Sequence, residues 1–431
     1  MKTEKTSVHP FLLASMYAIV ILIQLQFDIR ISKTILRIGA SDFFVPFFLI
    51  FMLYVTPKDI FQQEWKVKWL PIWFITFTFW LGISLLIGYM EAGFLSSWAF
   101  SNKFIGWLIL MGYFLAGGCT KNLTHEMLLR MFKILFLSSW LVGIFCIFSW
   151  ATLLHRYYPG LAIGSNANHR FIGFLQNPNA FGLFNVVLLL FYISINHQKL
   201  LFSRSLTLVG YIINLISIIG SGSRGAFITA IFGLSILTLR KMISFRSAFL
   251  VIMTGISALL GSIGLSNLFS SKLYSYMNSP QLWQFSDSGV SERIHHIKIA
   301  LGWWLESPLM GIGLGSYLNR QIEQNMMPLS TIHQTPLWLL TETGLIGLML
   351  ILVFVYAALK SLYQSSFLPK NNTLAAGGLA MILAYALASL TSEIMYQRYL
   401  WFFLGMLLVQ SIRESQSEQM EDFRINASPK F

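Results

Sequence analysis

The stretch from Gln334 to Ala358, QTPLWLLTETGLIGLMLILVFVYAA, decides the fold class of this chain. It is apolar almost throughout and contains one charged side chain, that of Glu342. An apolar helix of about 20 residues crosses the hydrocarbon core of a bilayer. The stretch therefore predicts a transmembrane helix over residues 334–358.

Runs of the same kind recur along the whole chain, of which 55% is hydrophobic and only 11% charged. Soluble domains carry about 25% charged residues, so this composition excludes a soluble globular protein. We predict an all-α integral membrane protein with about 12 transmembrane helices. The predicted spans are 10–27, 38–55, 69–90, 99–119, 128–154, 178–195, 205–221, 225–239, 247–268, 334–358, 373–390 and 397–412. The first run lacks a small-residue cleavage site after it, so we interpret it as a retained helix.

Basic residues predict the orientation of these spans. Most of the 30 Lys and Arg residues fall in alternate loops, which places the N-terminus and those loops on the cytoplasmic side. The first outer loop, with Arg30, Lys33 and Arg37, departs from this rule.

Two outer segments, about 155–177 and 270–333, are too long to be simple connections. The longer one precedes the tenth span, and its stretch Ser291–Glu306 predicts an amphipathic helix that Pro308 follows. We therefore interpret 1–412 as one transmembrane domain and the polar residues 413–431 as a disordered cytoplasmic tail.

The charge, the cysteines and the possible metal ligands exclude several classes of function. The net charge of +13 follows from the basic cytoplasmic loops, so no nucleic-acid partner is predicted. The two cysteines, Cys119 and Cys146, form no disulfide or zinc framework. His, Asp and Glu of the outer segments do not cluster at ligand spacing, so neither a metal nor a cofactor is predicted.

Four basic residues at the outer ends of predicted spans remain as site candidates: Arg170, Arg224, Arg293 and His333. A single arginine at a membrane interface is most often an anchor whose charge reaches the headgroups, and a single histidine there is most often a cap. Four on one face, three of them in Gly-, Asn- or Pro-rich turns, favour an anion site instead. Arginine binds a diphosphate through paired hydrogen bonds and keeps its charge. A lipid diphosphate is the anion that a membrane surface offers.

The motifs around these residues resemble those of the bacterial O-antigen ligase and polymerase family. The histidine motif is His333-Gln334 followed by Gly344-Leu-Ile-Gly347, and the turn Ser-Arg224-Gly-Ala resembles a second signature. Arg293 with the following Ala300-Leu-Gly-Trp-Trp and Pro308-Leu-Met-Gly311 resembles a third, and Arg170 with Asn177-Pro178-Asn179 a fourth. The motifs cover about 160–350, in the order and topology of the family.

The resemblance implies a GT-C-like glycosyltransferase that is metal-independent and inverts the anomeric centre. It implies a donor glycan on undecaprenyl diphosphate and an acceptor hydroxyl on lipid A-core, met at the periplasmic face of a bacterial inner membrane. By position, His333 would be the general base, and Arg170, Arg224 and Arg293 would bind the diphosphate. Glu342 lies more than two helical turns beyond His333, so we assign it only internal pairing.

Three alternatives stay open. A polymerase of the same superfamily would use a growing glycan as acceptor, and a relative that glycosylates proteins forms a third branch. A transporter belongs to another class, but transporters place ionisable residues near the bilayer midplane and often show repeats. Apart from the two substrates and membrane lipids, no partner or oligomeric state is predicted.

Overall fold

The computed structural model describes residues 10–31, 34–55, 67–152, 164–165, 170–198, 201–253, 287–326, 331–366 and 372–410, and these residues are mostly helical. The predicted tail at 413–431, the first part of the predicted 270–333 segment and most of 155–169 lie outside the described residues.

The helices follow one another along the described parts of the chain. In chain order they are α1 (Pro10–Leu22), α2 (Ala40–Val55), α3 (Leu70–Ala92), α4 (Gly106–Gly118), α5 (His125–Ala151), α6 (Pro178–Gln198), α7 (Arg204–Gly220), α8 (Arg224–Leu239), α9 (245–253), α10 (Asp287–Trp304), α11 (Ser316–Glu323), α12 (Thr335–Ser365), α13 (Asn372–Ser389) and α14 (Arg398–Gln410). A π-helical turn, Ala99–Ile105, leads into α4, and a 3₁₀ turn, Cys119–Asn122, follows it.

Among the described residues, five helices are long and apolar enough to cross a membrane: Leu70–Ala92, Ala99–Asn122, His125–Ala151, Pro178–His197 and Thr335–Ser365. Shorter apolar helices occupy the predicted spans near α1, α2, α7, α8, α13 and α14. The chain is thus a helical membrane protein, as its composition predicts. The number of about 12 spans stays a prediction, since only part of the predicted 247–268 span is described.

The prediction of a helical fold is confirmed, and two short antiparallel hairpins accompany the helices. Strand β1 (Gln26–Ile31) pairs with β2 (Thr34–Gly39), and β3 (Gly164–Ser165) pairs with β4 (Phe171–Gly173). The sequence explains why the first hairpin forms: polar Asp28 and Arg30 alternate with apolar neighbours at the period of a strand. This hairpin forms in the segment predicted as the first outer loop, in which the basic residues depart from the charge rule.

Helix α6 lies at the centre of the bundle and is largely buried. It packs against α7, α8 and α13, and α13 in turn packs against α12. Helices α4 and α14 cross closely because each has a glycine at the contact. A Cβ at Gly117 or Gly405 would lie 2.0 Å from a backbone oxygen of the other helix, so only a residue without a side chain fits there.

Helix α12 is interrupted at Gly344, whose φ of 70° and ψ of −174° are non-helical. The predicted span 334–358 is therefore helical but kinked. The turn Gly311–Gly315 fits against this kink: Ile312 N donates to Thr341 O at 2.9 Å, and Gly313 N donates to Glu342 O at 3.1 Å. A Cβ at Gly344 would lie 2.2 Å from Leu309 O. The glycine of the histidine motif thus serves backbone packing between the outer segment and α12.

Candidate active site

Arg170 joins the start of α6 to the turn between α7 and α8. Its Nε donates to Ser221 O at 2.8 Å, and its Nη2 donates to Asn179 Oδ1 at 3.1 Å. Asn177 caps α6, since its Oδ1 accepts from the backbone N–H of Asn179 at 2.9 Å and of Ala180 at 3.2 Å. The predicted Arg170…Asn177-Pro-Asn segment is therefore one folded unit.

The first hairpin supports this unit from the side. Gln26 N donates to Phe174 O at 2.9 Å, and Gln176 Nε2 donates back to Gln26 O at 3.0 Å. The N-terminal part of the chain therefore helps to hold Arg170 in place.

Arg224 is the first residue of α8, immediately after its N-cap. The Ser223 hydroxyl accepts from Ala226 N at 3.2 Å, and the Arg224 side chain is exposed. The first-turn amides of a helix and an arginine at the same place both favour an anion.

Arg293 lies in α10, the predicted amphipathic helix, which begins at Asp287 and ends at Trp304 instead of spanning Ser291–Glu306. The Arg293 side chain is exposed, whereas Ala300 is buried against α12, where Thr341 Oγ1 donates to its carbonyl at 3.4 Å. His296, one turn beyond Arg293, bonds through Nδ1 to Tyr317 OH at 2.8 Å. These two contacts hold α10 on α12 and α11.

The structure brings the three arginines into one electrostatic environment. Burial lowers the pKa of the Arg170 guanidinium, and the positive charges of Arg224 and Arg293 lower it further. The like charges of Arg224 and Arg293 therefore repel that of Arg170. An anion bound among them would relieve this repulsion, and guanidinium groups form their strongest hydrogen bonds with carboxylates and phosphates.

His333 lies in the extended segment before α12, and its side chain is exposed. The next residue but one, Thr335, is tied to the loop between α13 and α14: its Oγ1 accepts from Ile394 N at 2.9 Å and donates to Ser392 O at 3.3 Å. That loop also packs on the Arg224 turn, since a Cβ at Gly225 would lie 3.1 Å from Thr391 Oγ1. The segment 391–394 therefore connects the histidine segment to the arginine turn.

Glu342 is buried and pairs internally, in keeping with the limited role assigned to it. Its carboxylate accepts from Trp338 Nε1 at 2.7 Å and from the backbone N–H of Gly315, the N-cap residue of α11. A negative charge at a helix N-terminus is favourable. Glu342 thus fixes α11 onto α12.

Sequence reasoning missed an ion pair between the buried Lys103 and the half-buried Glu393. The signal was present, because a lysine inside a predicted span is expensive unless it is paired and therefore marks a functional region. The partner could not be found from sequence, since the two residues are 290 positions apart.

An apolar groove of about 150 Å³ runs from this region along the helices. It is lined by α12, α13, α14 and the loop before α14, including Thr335, Leu339, Ile351, Tyr385 and Ile394. Because Thr335 and Ile394 also form the link described above, one end of the groove adjoins the histidine segment.

These features define a multi-pass helical membrane protein in which the charges of Arg224 and Arg293 act on Arg170. In the comparison with known proteins, the family model described as O-Antigen ligase matches residues 209–352, about a third of the chain. The predicted resemblance to the O-antigen ligase and polymerase family is confirmed. The match includes Arg224, Arg293 and His333, whereas Arg170 lies before it. No curated protein matches the chain.

Proposed function

We propose that this protein is an O-antigen ligase-like glycosyltransferase, which moves a glycan from undecaprenyl diphosphate to a sugar hydroxyl of lipid A-core. The reaction takes place at the periplasmic face of a bacterial inner membrane and needs no metal ion. The observation that carries the proposal is the hydrogen bond from Arg170 to the turn before Arg224, where the charges of Arg224 and Arg293 act on it, in a chain whose residues 209–352 match the O-antigen ligase family model.

The three arginines bind the diphosphate of the donor. Two phosphates bring several negative charges, which offset the repulsion among the guanidinium groups. As the glycosyl bond breaks, a further negative charge develops on the departing oxygen. Fixed cations stabilise that charge in the transition state and do the work that a divalent metal does in other transferases.

His333 acts as the general base. Its imidazole takes the proton of the acceptor hydroxyl while the hydroxyl oxygen forms a bond to the anomeric carbon. The bond from that carbon to the diphosphate oxygen breaks on the opposite side, so the configuration inverts. Undecaprenyl diphosphate leaves with the bonding electron pair. The exposure of the His333 side chain supports this role, because the acceptor must reach it.

The apolar groove receives part of the prenyl chain. It adjoins Thr335, two residues after the proposed base, and its walls are almost entirely hydrocarbon. A polyprenyl chain in the groove would hold the diphosphate near the arginine turn, so that binding energy from the lipid positions the reacting carbon.

Transfer by purified protein tests the proposal. Synthetic undecaprenyl-diphosphate-linked glycan is offered with lipid A-core or with a second lipid-linked glycan, in the presence of a chelator. We expect transfer to lipid A-core with inversion. Transfer only to the second glycan would assign the polymerase activity, which shares donor and site but differs in acceptor. Absence of both products would contradict the proposal.

Arg224→Lys adds a matched comparison. It keeps the charge but loses the paired hydrogen bonds, so both donor affinity and rate should fall. Arg204→Lys is the control, because Arg204 is also exposed and also follows a serine N-cap, at the opposite end of α7. It should behave as the parent.

A further inference from the structure

Lys103 places a positive charge inside the helical bundle. It lies in the π-helical turn Ala99–Ile105, and only 4% of its side chain is exposed. Its Nζ forms an ion pair with Glu393, in the loop between α13 and α14. Single π-helical turns are uncommon and concentrate at functional sites. An ion pair removed from water also adds little to stability, since a protein with apolar side chains of similar volume in its place is often as stable.

Three aromatic rings enclose the Lys103 ammonium group. Nζ lies 4.8 Å from the ring centre of Trp98, 4.3 Å from that of Trp338 and 4.5 Å from that of Tyr396. Such distances give cation–π attraction, which is strongest where water is excluded. Trp338 comes from the first turns of α12, five residues after His333, and donates its Nε1–H to Glu342. The cage is therefore built from three separate parts of the chain.

The loop before α14 is held by Lys103 at two points. Glu393 binds the ammonium group, and the Tyr396 hydroxyl donates to the Lys103 carbonyl at 3.0 Å. The Tyr396 ring also lies against Gly106, where a Cβ would come within 3.2 Å of it. Lys103 thus contributes to the position of the loop through both its charge and its backbone.

The same loop contacts both halves of the candidate site. Ser392 and Ile394 bond to Thr335, next to the His333 segment, and Thr391 packs on Gly225, next to Arg224. A displacement of the loop would therefore change the separation of the proposed base from the proposed phosphate-binding turn. A misplacement of about 1 Å can lower a rate by ~10²-fold.

We infer that Lys103 is a positioning residue of the transferase site: through Glu393 and Tyr396 it holds the 391–396 loop where His333 and Arg224 face one substrate. It touches neither substrate. This inference rests on the proposed function and adds to it a residue outside the four candidates.

The experiment measures kcat, the KM values for donor and acceptor, and Tm for four purified variants. Lys103→Met leaves the half-buried Glu393 without this partner, so both Tm and kcat should fall. In Lys103→Met/Glu393→Gln no unpaired charge remains, so Tm should return towards the parent while kcat stays at least ~10-fold low. Tyr396→Phe keeps the ring and removes one hydrogen bond, and should lower kcat several-fold with little change in Tm or KM. Lys133→Met is the control, since Lys133 also faces a ring, that of Phe202 at 5.9 Å, and should leave kcat unchanged.

Recovery of Tm and kcat together in the double variant would overturn the inference, because Lys103 would then serve only to neutralise Glu393. If the double variant does not regain its Tm, Tyr396→Phe decides: a parental kcat overturns the inference, and a lowered kcat at parental Tm supports it. Arg224→Lys and His333→Ala are measured beside these variants. If Arg224→Lys and His333→Ala transfer glycan at the parental rate, the proposed function itself fails. If only the Lys103 and Tyr396 variants do so, the positioning role alone is removed.

Discussion

Replacement of Arg170 tests two roles of this residue separately: its contribution to stability and its contribution to ligand binding beside Arg224 and Arg293. Arg170→Met removes two hydrogen bonds from a charged donor, to Ser221 O and Asn179 Oδ1. Each such bond contributes about 1.5–3 kcal/mol. The loss is partly offset, because the variant also removes a charge that Arg224 and Arg293 repel. We expect a net destabilisation of about 2–4 kcal/mol.

Arg170→Met should also lower the affinity for undecaprenyl diphosphate, apart from its effect on stability. One lost guanidinium–phosphate contact of about 1.5–3 kcal/mol weakens the binding of undecaprenyl diphosphate by about 10- to 150-fold. Arg170→Lys keeps the charge but cannot form both internal bonds, so its stability should fall nearly as far while its affinity falls less.

The assay follows thermal unfolding in detergent with and without undecaprenyl diphosphate, and binding by titration. The ligand should raise the Tm of the parent, because it binds only the folded state. It should raise the Tm of Arg170→Lys less, and that of Arg170→Met least. Parental affinity in Arg170→Met would refute the reasoning, since the cluster would then bind no diphosphate.

Three further predictions concern the topology, the kink at Gly344 and the apolar groove. A cysteine in place of the exposed Glu323 in α11 should react with an impermeant maleimide from outside the cell, and one in place of the exposed Ser203 should not. The reverse pattern would invert the topology. Both native cysteines are buried and give little background. Gly344→Ala needs a positive φ and places Cβ 2.2 Å from Leu309 O, so Tm should fall by several degrees, and an unchanged Tm would show that the kink tolerates a side chain. Leu339→Trp fills the apolar groove and should raise the donor KM with little change in acceptor KM, whereas a parental donor KM would place the prenyl chain elsewhere.

The helices were predictable because each apolar run carries its own signal. The boundaries differ by a few residues where local capping decides them, as at the Thr124 N-cap of α5, whose hydroxyl accepts from Met127 N at 3.3 Å. The hairpin Gln26–Gly39 was missed because its alternating pattern is short and lies between two long apolar runs. Gly344 was noted as a motif residue, but its conformation depends on the Gly311–Gly315 turn that packs against it.

The four candidate residues were predicted from their positions at the predicted outer ends of spans and from their motifs, and their roles stay predictions. Their mutual arrangement was not predictable, because it depends on contacts between distant segments. Arg170 reaches across to Ser221, and the loop at 391–394 joins Thr335 to Gly225. The Lys103–Glu393 pair shows the same limit: each residue is an isolated charge in the sequence, and only the assembled helices bring them together.

The most direct test of the proposed mechanism is the comparison of donor binding and single-turnover transfer in His333→Ala. The exposed histidine His125, at the start of α5, provides the matched His125→Ala control. His333→Ala should bind the donor as the parent does and transfer its glycan ~10²–10⁴-fold more slowly, since general-base catalysis contributes about that much. The control should match the parent in both measurements. Transfer by His333→Ala at the parental rate would contradict the account, because the site would then have no base and only its anion-binding role would remain.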